Sequence, residues 1–458
     1  MADLLSRLRG RVRGDGPEGF LRHVWALGAA VRPPADAPRL AITGGADAPD
    51  AVDAPDAPDA LWRGALRDGE RLAPHALAVI AAALAAHPKA ARAYTETVRL
   101  GGDDRPAEIE LKPSHDPLFD AARPYAGELA LHRVGADPDG PVLHIPYPAL
   151  ITPHPPAQGS FALPAPAHWP RVSVIIPSRD APALIRTVLA GLYEGTDYPA
   201  LEVIVSDNGS TDAATLAEYA QRMAQGLRVI RHEAPFNFAA QVNRGVAAAT
   251  GDALLLLNND IEIRAPGWLR EMVACLAWPG TGTGTGIIGA RLLFPDGRLQ
   301  HAGAIIGLGQ GYAGHWFAGA SADAPGPVQR LLHRGRLSAV TAAAMLIDRA
   351  CWEALGGMDA ETFAVAYNDV DFCLRAEAAG FATLWTPHAT LIHHESATRR
   401  IAGAADRARF RAEKAALRAR HGTDRLQDPA LSPWLSREIL PRPRRLAALP
   451  AARLGWAG

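Results

Sequence analysis

From residue 171 onward, short apolar runs alternate with segments whose apolar residues recur every three or four positions. Val172–Ile176 is the first run, and a helical pattern from Ala183 to Tyr193 follows it. Glu202–Ser206 forms a second run and Leu227–Arg231 a third. A helix is expected from Ala239 to Ala249, and Ala253–Leu257 is a wholly apolar fourth run. Apolar strands alternating with amphipathic helices predict an α/β, Rossmann-like domain. Its sheet would be mainly parallel, with helices on both faces.

The pattern is weaker on either side. Residues 61–150 hold a helix-like run, Pro74 to His87, and short apolar segments such as Val142–Ile145, which together predict a smaller α/β segment. Residues 46–60 read ADAPDAVDAPDAPDA, with Asp47, Asp50, Asp53, Asp56 and Asp59 at every third position. A solvated loop held extended by like charges accounts for them better than a polyproline II edge. The Pro-rich stretch from His154 to Pro170 reads as an interdomain linker. The GTGTGTG run at 280–286 reads as a flexible loop, because it lacks the strand before it and the Lys-Ser/Thr after it that a phosphate cradle needs. After residue 400 come a basic helical segment, AADRARFRAEKAALRARHG, and a Pro- and Arg-rich tail. The expected division is 1–155, linker 156–170, main domain 171–400, and 401–458 as helix and tail.

Composition narrows the class. The 458 residues suffice for two or three domains, and 48% hydrophobic with 21% charged residues fits a globular protein. Basic and acidic residues number 47 and 48, which argues against a broad surface for nucleic acid. Cys275, Cys351 and Cys373 lack paired spacing, so neither a disulfide framework nor a zinc site is expected. No apolar run approaches the ~18 residues that span a bilayer. MADLLSRLRGRVRG lacks a long apolar core, and its three leucines fit a frayed terminus better than an amphipathic surface helix. A cytoplasmic protein is expected.

Three predicted strands end in polar clusters: Pro177-Ser178, Asp207-Asn208, and Asn258-Asn259-Asp260. Ordinary turn chemistry explains any one of them. Three on one rim of one sheet point to a ligand site, because open α/β sheets bind ligands beyond the carboxyl ends of their strands. A carboxylate at Asp207 can accept a hydrogen bond from a nucleobase, and Asp260 is placed for Mg²⁺ or Mn²⁺ beside a diphosphate. Further on, Asp369 and Asp371 lie two apart, so a helix would turn only one toward a cavity as a general base. Asp371 also suits a helix cap or an i,i+4 pair with Arg375. His393 and His394 close a short apolar strand, where a metal-ligand role and a structural one weigh equally.

These residues resemble the inverting family 2 glycosyltransferases of the GT-A fold, most closely the bacterial polysaccharide and rhamnosyltransferase-like members. VSVIIPSRD, EVIVSDNGSTD, PFNFAAQVNRG, ATGDALLLLNNDIEI, QHAGAIIGLG, VTAAAMLIDR, GGMDAETFAVAYNDVDFCLR, TLIHHESATR and DPALSPWLS occur in the family's order from about residue 171 to 436. The resemblance implies that Pro177, Ser178 and Asp180 line the nucleotide site, that Asp207 reads the base with Asn208 beside it, and that Asn243 lies on the donor-side helix. It places Asn258-Asn259-Asp260 at the metal-binding DXD motif, with Asn258 in place of the first Asp. Asp260 and His393 would then hold a divalent metal. Asp369 matches the catalytic base, and Asn368 replaces the usual Glu before it.

The implied partners are a nucleotide-sugar donor and a glycan or lipid-linked acceptor, used in cell-surface polysaccharide synthesis. The tail's Arg437, Arg442, Arg444, Arg445 and Arg453 interleave with apolar residues. Peripheral contact with the inner face of the membrane and a solvated tail are both compatible with that pattern. RDGERLAPHAL, AYTETV and VLHIPYPAL resemble the second half of a companion GT-A-like domain, here degenerate and non-catalytic. Two rivals remain. Asn258 and Asn368 motivate a non-catalytic sugar- or nucleotide-binding protein on this fold. A nucleotidyltransferase fits less well, because VSVIIPSRDAP has no Gly-rich phosphate loop.

Overall fold

A computed structural model describes residues 16–44, 61–278, 284–308, 312–394 and 403–456. The acidic repeat at 46–60, the leading leucine-arginine segment and Glu395 lie outside the described residues. The chain forms two compact units. Unit 1 takes residues 1–161, 325–330 and 429–457; unit 2 takes 162–324 and 331–428. Among the described residues no helix is long and apolar enough to cross a membrane.

Unit 1 runs α1 (Gly16–Gly28), β1 (Leu40–Gly44), β2 (Trp62–Leu66), β3 (Arg71–Leu72), α2 (Ala76–Ala86), β4 (Arg92–Leu100), β5 (Pro106–Glu110), α3 (Pro117–Ala122), β6 (Leu131–Arg133) and β7 (Val142–Thr152). All of β7 is buried, as expected for the centre of a covered sheet. Charged side chains are also buried here. Arg99 donates to Glu110 at 3.0 and 2.9 Å and Arg123 to Glu128 at 3.2 Å, so neither ion is left uncompensated.

Unit 2 continues with β8 (Val172–Ser178), α4 (Pro182–Glu194), β9 (Leu201–Asn208), α5 (Ala213–Met223), β10 (Arg228–His232), α6 (Phe238–Ala247), β11 (Ala253–Leu257), β12 (Ile261–Ile263), α7 (Trp268–Leu276), β13 (Thr285–Leu293), β14 (Leu299–His301), β15 (Ala304–Gly307) and β16 (Tyr312–His315). Then come β17 (Gly335–Arg336), β18 (Ala344–Asp348), α8 (Arg349–Leu355), α9 (Asn368–Ala378), β19 (Ala382–His393) and α10 (Ala404–His421). The main sheet has the order β10-β9-β8-β11-β18-β13-β19-β12, with β10, β9, β8 and β11 mutually parallel. Every residue of β11 is buried, which explains its uninterrupted apolar run. Side-chain caps start the helices: Asp212 accepts from Thr215 N–H at 2.7 Å and Asn237 from Ala240 N–H at 2.9 Å. Helix α6 lies close on the sheet at Gly245, where a Cβ would fall 2.6 Å from Ile175 Cγ2.

The two sheets share a pattern. In unit 1, β1 is parallel to β2, and β2 and β4 are both antiparallel to β6. β4 is parallel to β7, β3 antiparallel to β7, and β5 antiparallel to β4. Replacing β1, β2, β3, β4, β5, β6 and β7 by β8, β11, β12, β13, β14, β18 and β19 gives unit 2's pairings, in the same chain order and sense. Both parallel pairs, β4–β7 and β13–β19, carry a register shift partway along. Among the features without a counterpart in the described residues of unit 1 are strands beyond β1, helices between β6 and β7, and the β15–β16 pair.

Two expectations need correction. Thr285 and Gly286, read as the end of a loop, open β13 instead, because the strand is completed by pairing with distant β19. The segment 401–458 is not one piece. Helix α10 belongs to unit 2, whereas 429–457 folds into unit 1. Trp434 is fully buried there, donates its indole N–H to Pro146 O at 2.7 Å and meets Phe20 edge-on at 5.5 Å. A further short strand, β20 (Arg453–Leu454), pairs with β7.

Candidate active site

The carboxyl ends of β8, β9 and β11 gather the polar clusters within unit 2. Ser178 is buried at the end of β8, beyond half-buried Pro177, and its Oγ accepts from Asn259 Nδ2 at 3.1 Å, tying β8 to β11. Asp180 and Ala181 follow with φ of 52° and 60°, a left-handed pair that only a well-braced turn tolerates. The brace is the Asp180 carboxylate, which accepts from Thr211 N–H at 2.8 Å and Asp212 N–H at 2.9 Å. The Asp212 and Thr211 hydrogen bonds hold that carboxyl below its ordinary range.

Asp207, expected to read the base, is held by its own turn. It is fully buried, accepts from Ser210 Oγ and from Ser210 N–H at 3.1 Å, and meets Tyr219 Oη at 3.3 Å and Arg231 Nε at 3.4 Å. These bonds let the carboxylate shape the Gly209 turn (φ 74°). Burial pushes the Tyr219 phenol up to about 12, so it remains a donor. Asn243 is likewise structural: its Nδ2 donates to Met358 O at 2.8 Å and its Oδ1 accepts from Met358 N–H at 3.0 Å. Both side chains invite a functional reading, but their atoms are already bonded within the chain. An open cleft of about 340 Å³ lies alongside, lined by Asn208, His232, Ala234, Pro235, Phe236, Asn237, Ala240, Gln241 and Arg244.

Asn258, Asn259 and Asp260 follow β11, and His393 ends β19. Pairing of β12 with β19 brings them together across more than 130 residues. His393 Nε2 lies 3.0 Å from Asp260 Oδ1, and Asn258 Nδ2 lies 3.4 Å from the same nitrogen. Asp260 is nearly buried, yet its Oδ1 accepts no hydrogen bond. Among the described residues no group of three or more His, Cys, Asp or Glu side chains is placed to hold a metal ion. The donor set is therefore two strong ligands with an amide beside them. A carboxylate oxygen without a donor, next to an imidazole nitrogen, fits a hard divalent cation that keeps several other ligand positions for water or phosphate.

Helix α9 positions the carboxylates expected to include a base. Asp369 is half-buried, its Oδ2 accepting from Ala342 N–H at 3.2 Å and its Oδ1 from Val370 N–H at 2.9 Å. Asn368 caps locally, donating to Val365 O at 3.0 Å. Asp371 is wholly buried, and accepts from Arg375 Nε at 2.8 Å, Arg420 at 2.9 Å and His421 at 2.8 Å. Burial pushes its carboxyl up, but hydrogen bonds from His421 and Arg375 outweigh that and leave it below the ordinary range. Asp371 thus ties α9 to α10, and Asp369 is the more exposed of the two.

Sequence reading overlooked Gln300 and His301, although QHAG stood among the quoted motifs. His301 Nε2 accepts from Thr341 N–H at 3.2 Å. The next N–H, of Ala342, serves Asp369, and the next carbonyl, of Ala343, accepts from Asn258 N–H at 3.0 Å. Three consecutive residues therefore connect β14, Asp369 and Asn258.

This arrangement defines the class: an α/β domain of the GT-A fold, with its polar groups collected at one rim of the sheet. Residues 173–298 match the model of glycosyl transferase family 2. The chain is 42% identical over 282 residues to the uncharacterized protein y4gI of Sinorhizobium fredii, covering 60% of this chain and 30% of that one. It is 39% identical over 236 residues to the O-antigen biosynthesis protein RfbC of Myxococcus xanthus, covering 50% and 18%. The chain thus spans less than a third of either relative. An N-acetylglucosaminyl-diphospho-decaprenol L-rhamnosyltransferase of Mycobacterium tuberculosis is 26% identical over 231 residues, covering 45% of this chain and 71% of its own. A mannosyltransferase of Pyrobaculum calidifontis, solved with GDP-Man and Mn²⁺, superposes with a TM-score of 0.41 at 22% identity, covering 59% and 69%.

Proposed function

We propose that unit 2 is an inverting glycosyltransferase domain. In this reading it moves a sugar from a nucleoside-diphosphate donor to a hydroxyl of a glycan or lipid-linked acceptor, in the assembly of a cell-surface polysaccharide. The observation that carries the proposal is the approach of Asp260 Oδ1 and His393 Nε2 to 3.0 Å, with Ala342 and Ala343 linking the adjacent Asn258 to the half-buried carboxylate of Asp369. The relatives named for O-antigen biosynthesis and rhamnosyl transfer support the polysaccharide setting.

The cleft beside Asn208 offers amide, imidazole and aromatic groups to a nucleobase, with exposed Phe236 as a stacking face. Pro177, Ser178 and the braced Asp180 turn form the neighbouring wall, and Asn259 fixes Ser178 from the other side. Asp260 and His393 would hold Mg²⁺ or Mn²⁺. A bound cation would neutralise the diphosphate and stabilise its charge as it leaves. Asp369 accepts the proton of the acceptor hydroxyl, whose oxygen attacks the anomeric carbon from the face opposite the departing nucleoside diphosphate. A single displacement inverts that carbon. Two backbone N–H groups steady the Asp369 carboxylate while it retains lone pairs for the proton.

A cytoplasmic domain working at the inner face of the membrane fits a lipid-linked acceptor. The tail gives that location less support than its sequence suggested, because Arg444 and Arg453 donate to Pro433 O at 3.1 Å and Leu431 O at 2.9 Å. The test is a panel of nucleotide-sugars with Mn²⁺ or Mg²⁺, scored by nucleoside diphosphate release and product anomeric configuration. A retained configuration would overturn the single displacement. Donor binding without release, across donors and acceptors, would favour a non-catalytic sugar-binding role.

A further inference from the structure

The ring of His393 has two tautomers, and they give the rim opposite properties. With hydrogen on Nε2, the imidazole would compete with a cation for the Asp260 carboxylate, 3.0 Å away. With hydrogen on Nδ1, the Nε2 lone pair can accept from Asn258 Nδ2, 3.4 Å away, or serve a cation shared with Asp260.

Gln300 decides between them. It is buried in β14 and grips His393 twice: its Nε2 donates to the His393 carbonyl at 3.3 Å, and its Oε1 lies 2.6 Å from His393 Nδ1. Turning the amide over would set Oε1 against the carbonyl oxygen, acceptor to acceptor, so the carbonyl fixes the amide's direction. An amide oxygen only accepts. Nδ1 must therefore carry the hydrogen, and in the neutral ring Nε2 keeps its lone pair. Asp260 Oδ1, which accepts no hydrogen bond, lies 3.0 Å from that nitrogen.

We infer that Gln300 is a positioning residue that fixes the Nδ1–H tautomer of His393 and so keeps the His393–Asp260 pair open for a divalent cation. The inference rests on the metal reading proposed above. Its neighbour supports the assignment. Burial, followed by the charges of His315 and His393, holds the wholly buried His301 ring well below the ordinary imidazole range. A neutral His301 accepts from Thr341 N–H through Nε2, steadying the run that reaches Asp369. Adjacent residues of one short strand thus serve the metal edge and the base.

The test uses the full chain, purified free of metal, with ¹⁵N-labelled histidine. NMR at pH 8, with His393→Asn identifying the signal, should show His393 protonated at Nδ1. Gln300→Met removes both grips. It should shift His393 to the Nε2–H form and weaken Mn²⁺ binding, read by electron paramagnetic resonance, by about 10–100-fold. Gln300→Glu, whose carboxylate still accepts from Nδ1–H, should restore the tautomer and most of the affinity. Should Gln300→Met fail to fold, the wild-type tautomer and Gln300→Glu decide. An Nε2–H tautomer in the wild type, or unchanged tautomer and affinity in Gln300→Met, would overturn the inference. Wild-type protein that binds no Mn²⁺ yet shows Nδ1–H would instead sink the metal reading on which it rests.

Discussion

Asp369→Asn exchanges one carboxylate oxygen for an amide nitrogen and leaves the side chain's volume unchanged. Two N–H groups now meet the carboxylate, from Ala342 at 3.2 Å and Val370 at 2.9 Å. The amide satisfies one and turns its NH₂ toward the other, a loss of roughly 0.5–1.5 kcal/mol at a half-buried position. At roughly 2–4 °C per kcal/mol for a domain of this size, melting should fall by only a few degrees. Losing the proton acceptor is a larger effect: base catalysis is worth ~10²–10⁴-fold, or roughly 2.7–5.4 kcal/mol of barrier. Turnover should therefore collapse in a protein that still folds and binds donor. Asp371→Asn is the control. Its wholly buried carboxylate accepts from Arg375, Arg420 and His421, so breaking that cluster should cost roughly 1.5–3 kcal/mol of stability. The assay set is nucleoside diphosphate release, donor calorimetry and thermal melting on both variants. Turnover of folded Asp369→Asn within about threefold of wild type would remove Asp369 from the chemistry.

Asp260→Ala should abolish Mn²⁺-dependent transfer while leaving the metal-free melting temperature unchanged or slightly higher, because the lost oxygen had no donor; normal turnover would refute the site. Asn243→Ala frees both backbone groups of Met358 and should cost about 1–3 kcal/mol, with donor affinity changed less than threefold; a large affinity loss would return Asn243 to the donor site. Burial pushes the Glu128 carboxyl up, but Lys112, Arg99 and Arg123 outweigh it and hold it at about 2. A folded-state pKa below the unfolded value of about 4.3 stabilises the fold at neutral pH, and that stability is lost as pH falls from about 4.5 toward 2. Denaturant titrations of the wild type and Glu128→Gln at pH 6, 4 and 3 should converge toward acid; a constant difference would refute the linkage.

Strands buried on both faces were the easiest elements to read. Ala253–Leu257 matches its strand at both ends, because a run with no polar residue leaves no other boundary. The strand-end clusters also lie where their spacing placed them. Which atoms are already bonded was not legible. Asp207 and Asn243 have the residue types of ligands, yet their partners, Arg231 and Met358, are chosen by the folded chain. Gln300 escaped notice for the converse reason: its role depends on a ring 93 residues away. The tail misled because its arginines and prolines have the composition of solvated chain, whereas Trp434 and β20 anchor it in unit 1.

The repeated strand pattern carries a thermodynamic consequence. Glu70 stands immediately before β3, as Asp260 stands immediately before β12, but it is surrounded by donors. Arg67 reaches Glu70 Oε1 at 2.9 and 2.6 Å, and Thr152, the last residue of β7, donates to it at 3.0 Å. A guanidinium belonging to the chain thus sits where unit 2 leaves an oxygen bare. One copy neutralises its own acid; under the proposed metal reading, the other leaves that to an ion from solution. Ligands that bind only the folded state stabilise it by RT ln(1 + [L]/Kd), about 2.7 kcal/mol at a hundredfold excess over Kd. A cation bound at Asp260 would therefore raise the unfolding free energy of unit 2, and the concentration of free divalent ion would set by how much.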